Sequence, residues 1–280
     1  MTSIGYSLTG STSEQCLFIL IGDGANLIGD GANGKSTFVN VISKLLGDYS
    51  KAAASQTLVA KGSTSVGDDL VDLVGARLIP VSETEEGEGL AEAKIKQMTG
   101  GDVLKGRPLY GKYIQFSING KILLATNSLP SINNTDHGTW RRIQAIPFNR
   151  TFTSEQQDKG LGSKLNEELP GILNWAIKGC LDWQQQGLNP PQIVLEQVSA
   201  YKTEMDSIAQ FVEQECDIDA DTRYSASKLY EAYRHYCQAI GRKPQSTNAF
   251  KKALDKLTGV YQSRTASGMQ WHGIRPLVQF

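Results

Sequence analysis

The chain has 280 residues, 40% of them hydrophobic and 20% charged, with a formal net charge of −1. These values describe a globular protein of one large domain or two ordinary ones, and no apolar run reaches the roughly 18 residues of a membrane-spanning helix. The charge balance gives no support to nucleic-acid binding as a whole-chain property, although basic groups gathered along one channel would not show in it.

Residues 1–15 are polar and turn-rich and read as an N-terminal remnant of something larger. Cys16–Ile21 is a short continuous apolar run stopped by Gly22 and predicts a buried strand. Ser36–Leu46 has a helical pattern with Gly47 as its stop. Leu70–Leu73 and Arg77–Val81 are strand-like or helix-end segments around Gly75. Leu90–Met98 predicts a helix ending at Gly100-Gly101. Ile114–Ile118, Lys121–Ala125 and Arg142–Phe148 predict strands that complete an α/β block over residues 16–153. Residues 154–205 are helical, broken by Gly187 and Pro190-Pro191, with Trp175 and Trp183 as core candidates. In residues 206–280, Ile208–Glu215, Ala226–Ile240 and Asn248–Leu257 predict three helices, the third capped by Ser246 or Thr247. Val260–Arg264 and Met269–Ile274 then predict a hairpin around Ser267-Gly268. Three helices and a two-stranded wing suggest a winged-helix-like domain.

Cys16, Cys180, Cys216 and Cys237 contain no Cys-x-x-Cys pair. That spacing argues against structural zinc and a disulfide framework and predicts reduced, mostly buried thiols. His137, His235 and His272 form no ligand pattern. The N-terminus has no charged stretch leading into an apolar block, so a cytoplasmic site is expected.

Four segments carry chemistry. Gly29-Asp30-Gly31-Ala32-Asn33-Gly34-Lys35-Ser36 fits G-x-x-x-x-G-K-[ST]. Glycines let backbone N–H groups surround a phosphate, Lys35 reaches the β- and γ-phosphates, and the Ser36 hydroxyl ligates Mg²⁺. The helix that follows, with Thr37 in its first turn, points its positive end at the phosphates. The second segment, Arg77-Leu-Ile-Pro-Val81-Ser-Glu83-Thr-Glu85-Glu86, is an apolar strand delivering carboxylates at its C-terminal end. Glu83 is the first choice to hold Mg²⁺, with Glu85 or Glu86 polarising the attacking water. A solvated acidic loop is the competing reading, and Pro80 is awkward in a central strand. The third, Lys121-Ile-Leu-Leu-Ala-Thr-Asn127, ends a buried strand on an amide able to orient water beside the γ-phosphate. The fourth, Trp140-Arg141-Arg142-Ile143, suits an arginine finger reaching a neighbouring subunit's nucleotide, against the alternative of a surface charge pair.

In this order and spacing the four segments resemble a superfamily 3, AAA+-related helicase. The closer resemblance is to the C-terminal helicase part of the phage/plasmid and poxvirus-type primase–helicases. It is carried by Gly29–Ser36, Ser82–Glu86, Lys96–Asp102, Arg107–Tyr110, Leu124–Pro130 and Asp136–Phe148. It extends to Asp206, Phe211, Leu229-Tyr230, Tyr233, Gly241 and Phe250. The resemblance implies an ATP- and Mg²⁺-dependent homo-hexamer that moves on single-stranded DNA and opens the duplex, in the host cytoplasm of a phage- or plasmid-like element. It implies a β-hairpin before the Asn127 strand that carries basic residues into the ring channel, where Lys105, Arg107 and Lys112 fall. It also implies a primase, for which the chain has no room. A fragment, a truncated gene product or a separately encoded motor is therefore expected, with a primase domain or protein as partner.

One feature departs from that pattern. Leu20-Ile-Gly-Asp-Gly-Ala-Asn26 is repeated at once as Leu27-Ile-Gly-Asp-Gly-Ala-Asn33. Only the second copy runs into Gly-Lys-Ser. Either the first copy bulges out, or Leu27-Ile28 replaces the end of the strand; bulging costs less, because lengthening a loop costs little entropy. The repeat also leaves room for a nucleotide-binding, DNA-binding replication or regulatory protein with little hydrolysis. An AAA+ protein remodeller is the third possibility.

Overall fold

The structure, a computed structural model, describes residues 1–22, 32–59, 68–82, 89–108, 110–132, 137–266 and 268–277. The chain divides into two compact units, the first running from Met1 through Ile132 and on to Ser199, the second beginning at Ala200.

The first unit contains, in chain order, α1 (Thr2–Ser7), β1 (Leu17–Ile21), α2 (Lys35–Leu46), α3 (Asp68–Val71), β2 (Leu78–Ser82), α4 (Glu92–Gly100), β3 (Leu104–Gly106), β4 (Ile114–Phe116), β5 (Lys121–Thr126), α5 (His137–Trp140), β6 (Ile143–Pro147), α6 (Leu161–Glu167), α7 (Leu169–Gln186) and the start of α8 (Gln192–Met205). Strands β2, β5, β1 and β6 form one parallel sheet in that order. β1 is buried at every position, as a strand flanked on both sides and covered on both faces must be. Phe18, Leu20, Leu78 and Leu123 join one core cluster with Ile42 and Leu46 of α2, Ala176 of α7, and Ile4 and Tyr6 of α1.

That cluster corrects the reading of residues 1–15 as a turn-rich remnant. Thr2–Ser7 is a helix packed on α7 so closely that a Cβ on Gly5 would lie 2.1 Å from the Cys180 nitrogen. Pro80 sits in β2 without harm. Its carbonyl accepts from the Ala53 amide, on the side of β2 away from β5, so the missing N–H costs the parallel ladder nothing. Ile114–Ile118 yields a strand that lies outside the parallel sheet, because Ile114–Phe116 pairs antiparallel with Leu104–Gly106. Leu70–Leu73 begins as the end of a helix, not as a strand. Trp175 is 40% exposed and is not a core residue, whereas Trp183 packs on Tyr6 and donates to the Glu14 carboxylate at 2.7 Å.

The second unit holds α9 (Ser207–Glu215), β7 (Cys216–Asp217), β8 (Arg223–Ser225), α10 (Ala226–Ala239), α11 (Thr247–Leu254), β9 (Tyr261–Thr265), β10 (Gly268–His272) and β11 (Arg275–Pro276). Asp206 caps α9 by accepting from the Ile208 and Ala209 amides, and Ser246 caps α11 through the Ala249 amide, each satisfying donors that a helix start leaves open. Phe211, Tyr233 and Phe250 form an aromatic core with Leu229, Leu254 and Trp271. The Tyr233 and Phe250 rings stack at 4.8 Å. The buried Tyr233 hydroxyl pairs with Ser207 at 2.8 Å and accepts from the Gln245 amide; burial pushes its pKa well up. Strands β8, β10 and β9 make an antiparallel sheet. Cys16, Cys216 and Cys237 are buried thiols and Cys180 is partly buried.

Candidate functional site

The parallel strands β1, β2, β5 and β6 all end at the same edge, at Ile21, Ser82, Thr126 and Pro147. In an open α/β sheet this is the edge where ligands bind. Helix α2 starts there. Gly34 precedes it with φ 85°, a left-handed conformation that glycine adopts without steric cost. Lys35 is 5% exposed, and its Nζ donates to Asn127 Oδ1 at 2.8 Å. The Lys35 amide lies 3.4 Å from Asn33 Oδ1. The lysine of the phosphate loop and the amide at the end of β5 therefore meet at one point, 92 residues apart in sequence.

Gly22, read in the sequence only as the stop of the first strand, closes this corner. A Cβ there would lie 1.9 Å from Asn33 Nδ2 and 2.3 Å from Lys35 Nζ. Only glycine lets the loop side chains come so near the end of β1. The one signal available was its position as the first residue after an apolar run. Thr126 ends β5 with a local turn, its hydroxyl donating to the Ser128 carbonyl at 2.7 Å, and this turn presents Asn127.

Ser36 lines a groove of about 480 Å³ together with Asn40, Ser82 and Ala125. The hydroxyl expected to ligate Mg²⁺ thus shares a groove with the end of β2, the residue immediately before Glu83. The residues present fit a triphosphate and a divalent cation: a buried lysine, an exposed hydroxyl at a helix start, and a strand end leading into carboxylates. Gly34 precedes α2, and Lys35, Ser36 and Thr37 form its first turn. Gly29, Asp30, Gly31, Glu83, Glu85 and Glu86 lie outside the described residues.

The two arginines separate. Arg142 is buried, with Nε donating to Thr99 Oγ1 at 3.2 Å, a second nitrogen to the Gly138 carbonyl, and a third to Gln15 Oε1 at 3.1 Å. Its carbonyl accepts from the Leu17 amide, which puts it at the N-terminal edge of the sheet, away from Lys35. Such a guanidinium is committed within its own subunit. Arg141 is exposed and bonds to Gln15. Lys121, also at that N-terminal edge, donates to the Thr9 and Asn119 carbonyls and lies 4.5 Å from the Tyr6 ring centroid. Burial pulls its pKa down to about 8.

The expected hairpin before β5 is β3–β4. Lys105 and Arg107 approach the Tyr113 ring centroid at 5.2 and 5.4 Å, and Lys112 is exposed. Tyr110 is 98% and Tyr113 59% exposed. Tyr110 stands between Arg107 and Lys112, and Tyr113 follows Lys112; the sequence reading gave neither ring a role.

Comparison with known proteins gives the chain's relatives. A family model described as "Poxvirus D5 protein-like" matches residues 203–273, and a second, described as a family of unknown function, matches 27–142. "Putative helicase L207/L206" of Acanthamoeba polyphaga mimivirus is 30% identical over 231 residues, 76% of this chain and 23% of that protein. A Poxvirus D5 protein-like segment and viral relatives named as helicases are consistent with a primase–helicase family. "Putative helicase 022R" of Frog virus 3 is 29% identical, covering 83% of this chain and 25% of its own length, and "Putative primase C962R" of African swine fever virus is 27% identical over 134 residues, 47% of this chain and 13% of that protein. The chain spans about a quarter of the length of the first two relatives. The solved NrS-1 C-terminal region shares the fold over 98% of this chain and 70% of its own, with a TM-score of 0.50 at 11% identity. Among the described residues no helix is long and apolar enough to cross a membrane.

Proposed function

We propose that this D5-like chain is the ATP-hydrolysing motor of a superfamily 3 DNA helicase. The Lys35–Asn127 hydrogen bond carries the reading, because it joins the phosphate-loop lysine to the amide that would sense the γ-phosphate. Lys35 would hold the β- and γ-phosphates of ATP, and Gly29–Gly34 would surround them with backbone N–H groups. Ser36 and Glu83 would hold Mg²⁺, which supplies charge neutralisation at the transferring phosphoryl group. Glu85 or Glu86 would take the proton of the attacking water, and Asn127 would orient that water. Arg141, exposed where Arg142 is not, would exchange its Gln15 contact for the nucleotide of a neighbouring subunit in a homo-hexamer.

Lys105, Arg107 and Lys112, with Tyr110 and Tyr113, would contact single-stranded DNA, the cations tracking phosphates and the rings stacking bases. Residues 206–280 would form a winged-helix-like domain, in which α9, α10 and α11 precede the β9–β10 wing. The viral relatives named as helicases and primases support a role in replicating a virus, phage or plasmid-like genome alongside a primase. The deciding experiment is ATP hydrolysis by the purified chain with and without single-stranded DNA. Hydrolysis stimulated by DNA is expected. Nucleotide binding without turnover would favour a DNA-binding replication protein, and stimulation by a protein but not by DNA would favour a remodeller.

A further inference from the structure

One face of the parallel sheet packs with α1 and α7 in a common core, yet those helices do not fill the space over it. Phe18 of β1 stands in register between Leu123 of β5 and Gln144 of β6, and Leu20 stands beside Ile146. These side chains floor a cavity of about 320 Å³, whose other walls include α1, Trp175 of α7 and Val194 of α8. All of it belongs to the first unit. Protein interiors leave few voids larger than a water molecule, and this volume lies within the roughly 300–1,000 Å³ of small-molecule sites.

The lining says what such a cavity accepts. Four aromatic rings contribute to it, those of Phe18, Phe38, Phe148 and Trp175. Phe38 and Phe148 already touch, with ring centroids 5.9 Å apart. Trp175 lines the cavity while 40% exposed, which gives a route in from solvent. Among the described residues no charged side chain lines the space, so an ionised ligand would lose its hydration without gaining a counter-charge. Two hydroxyls at the edge are committed: Thr2 Oγ1 donates to the Leu188 carbonyl and Ser7 Oγ to the Ser3 carbonyl. Gln144 is the one polar side chain that the sheet contributes. Among the described residues its amide has no hydrogen-bond partner.

Two walls of the cavity also support the phosphate loop. The Phe38 amide makes the first hydrogen bond of α2, donating to the Gly34 carbonyl at 2.9 Å. Leu20 precedes Ile21, whose carbonyl accepts from the Phe148 amide at 2.6 Å. Next comes Gly22, where a Cβ would lie 2.3 Å from Lys35 Nζ. A molecule wedged between Leu20, Phe38 and Phe148 therefore bears on the strand before the loop and on the helix after it. With no slack at Gly22, that pressure reaches Lys35.

We infer that this cavity binds a neutral, flat, two-ring aromatic molecule with one hydrogen-bonding group, and that its occupation tightens nucleotide binding. The rings pack against Phe38, Phe148 and Trp175 in the offset or edge-on contacts that aromatic groups prefer. The polar group pairs with the Gln144 amide, which fixes its orientation. A nucleobase is a poorer match, because its edges carry several donors and acceptors and the sheet offers a single amide. An acyl chain is a poorer match too, since ordering it costs conformational freedom that a rigid ring system does not lose. Only the effect on nucleotide rests on the proposed function; the ligand site does not.

The test uses the full chain with 2-naphthol as probe. Calorimetric titration without nucleotide should show saturable binding, accompanied by a rise in melting temperature. Gln144→Leu keeps an apolar side chain in place, removes the amide and should weaken 2-naphthol binding by about 3- to 10-fold, the worth of one hydrogen bond. Val194→Phe should fill the cavity and abolish binding; Gln144→Leu, at a half-buried position, decides the matter should Val194→Phe fail to fold. Saturating 2-naphthol should tighten ATP binding by about fivefold or more, and ATP should tighten 2-naphthol binding by the same factor, as linkage requires. No binding of 2-naphthol by wild type, or binding that folded variants leave untouched, would overturn the site. Tighter binding of 1-decanol than of 2-naphthol would overturn the aromatic class. An ATP affinity indifferent to 2-naphthol would overturn the coupling. Wild type that takes 2-naphthol but not ATP would count against the phosphate-loop reading and leave the ligand site standing.

Discussion

Lys35 Nζ and Asn127 Oδ1 are 2.8 Å apart at the C-terminal edge of the parallel sheet. The amide oxygen holds the ammonium where the phosphates are expected, so the bond sets the lysine's position before any ligand arrives. Preorganisation of this kind removes reorganisation cost from the reacting state. Lys35→Ala should lower ATP turnover by at least about 10²-fold, the scale seen when one preorganised donor is lost. Asn127→Ala should lower turnover with a smaller loss of nucleotide affinity. Steady-state hydrolysis and nucleotide titration on folded variants check both. Wild-type turnover by folded Lys35→Ala would sink the assignment.

Glu83→Gln should keep nucleotide binding and lose turnover, because the amide preserves shape but neither charges the metal site nor accepts a proton. Glu85→Gln and Glu86→Gln, measured in parallel, decide the order within the acidic run. An active Glu83→Gln beside a dead Glu85→Gln would move the metal role along the chain.

Arg141 and Arg142 should respond to truncation in different ways. Arg142→Ala leaves Thr99, the Gly138 carbonyl and Gln15 without their shared donor, which should cost about 1–3 kcal/mol of stability. Arg141→Ala should leave melting almost unchanged and lower turnover in the assembled protein. Mixed with Lys35→Ala, it should regain hydrolysis at interfaces where an intact loop meets an intact arginine. No recovery in demonstrated mixed assemblies would remove the trans role.

Lys121 gives a pH signature. Its folded pKa of about 8 lies below the unfolded value of 10.5, so between these limits the unfolded chain binds more protons. Stability contributed through this group therefore rises as pH climbs from about 8 towards 10.5. Denaturation midpoints of wild type and Lys121→Met should draw together or cross in favour of wild type over that interval. A constant difference would show that Lys121 is not desolvated.

Deleting Leu20–Asn26 should be tolerated. Leu20 and Ile21 of the first copy end β1, paired with Ala125 and Thr126 on one side and Ile146 and Pro147 on the other. After deletion, the identical Leu27 and Ile28 take those places and the second copy's glycine takes that of Gly22. Nucleotide affinity and melting temperature should hold or rise. If both fall, the repeat is integral to the fold.

Much of this protein was settled in its sequence. The apolar run 16–21, the periodic helix after Gly34 and the cap at Ser246 depend on near neighbours, so local pattern suffices to read them. The Gly-Lys-Ser motif and the residues that follow the apolar strands carried the proposed chemistry. Other properties depended on what each segment packs against. Only the parallel pairing brings Lys35 to Asn127, and only the register of β1 shows that the strand ends in the first copy of the repeat. Helix packing made residues 2–7 part of a core, and Trp175 was left at the surface. Arg141 and Arg142 are identical in sequence terms; burial beneath Thr99 and Gln15 made one a clamp and left the other exposed. Burial and pairing are sums over contacts distant in sequence, and a local pattern carries no record of them.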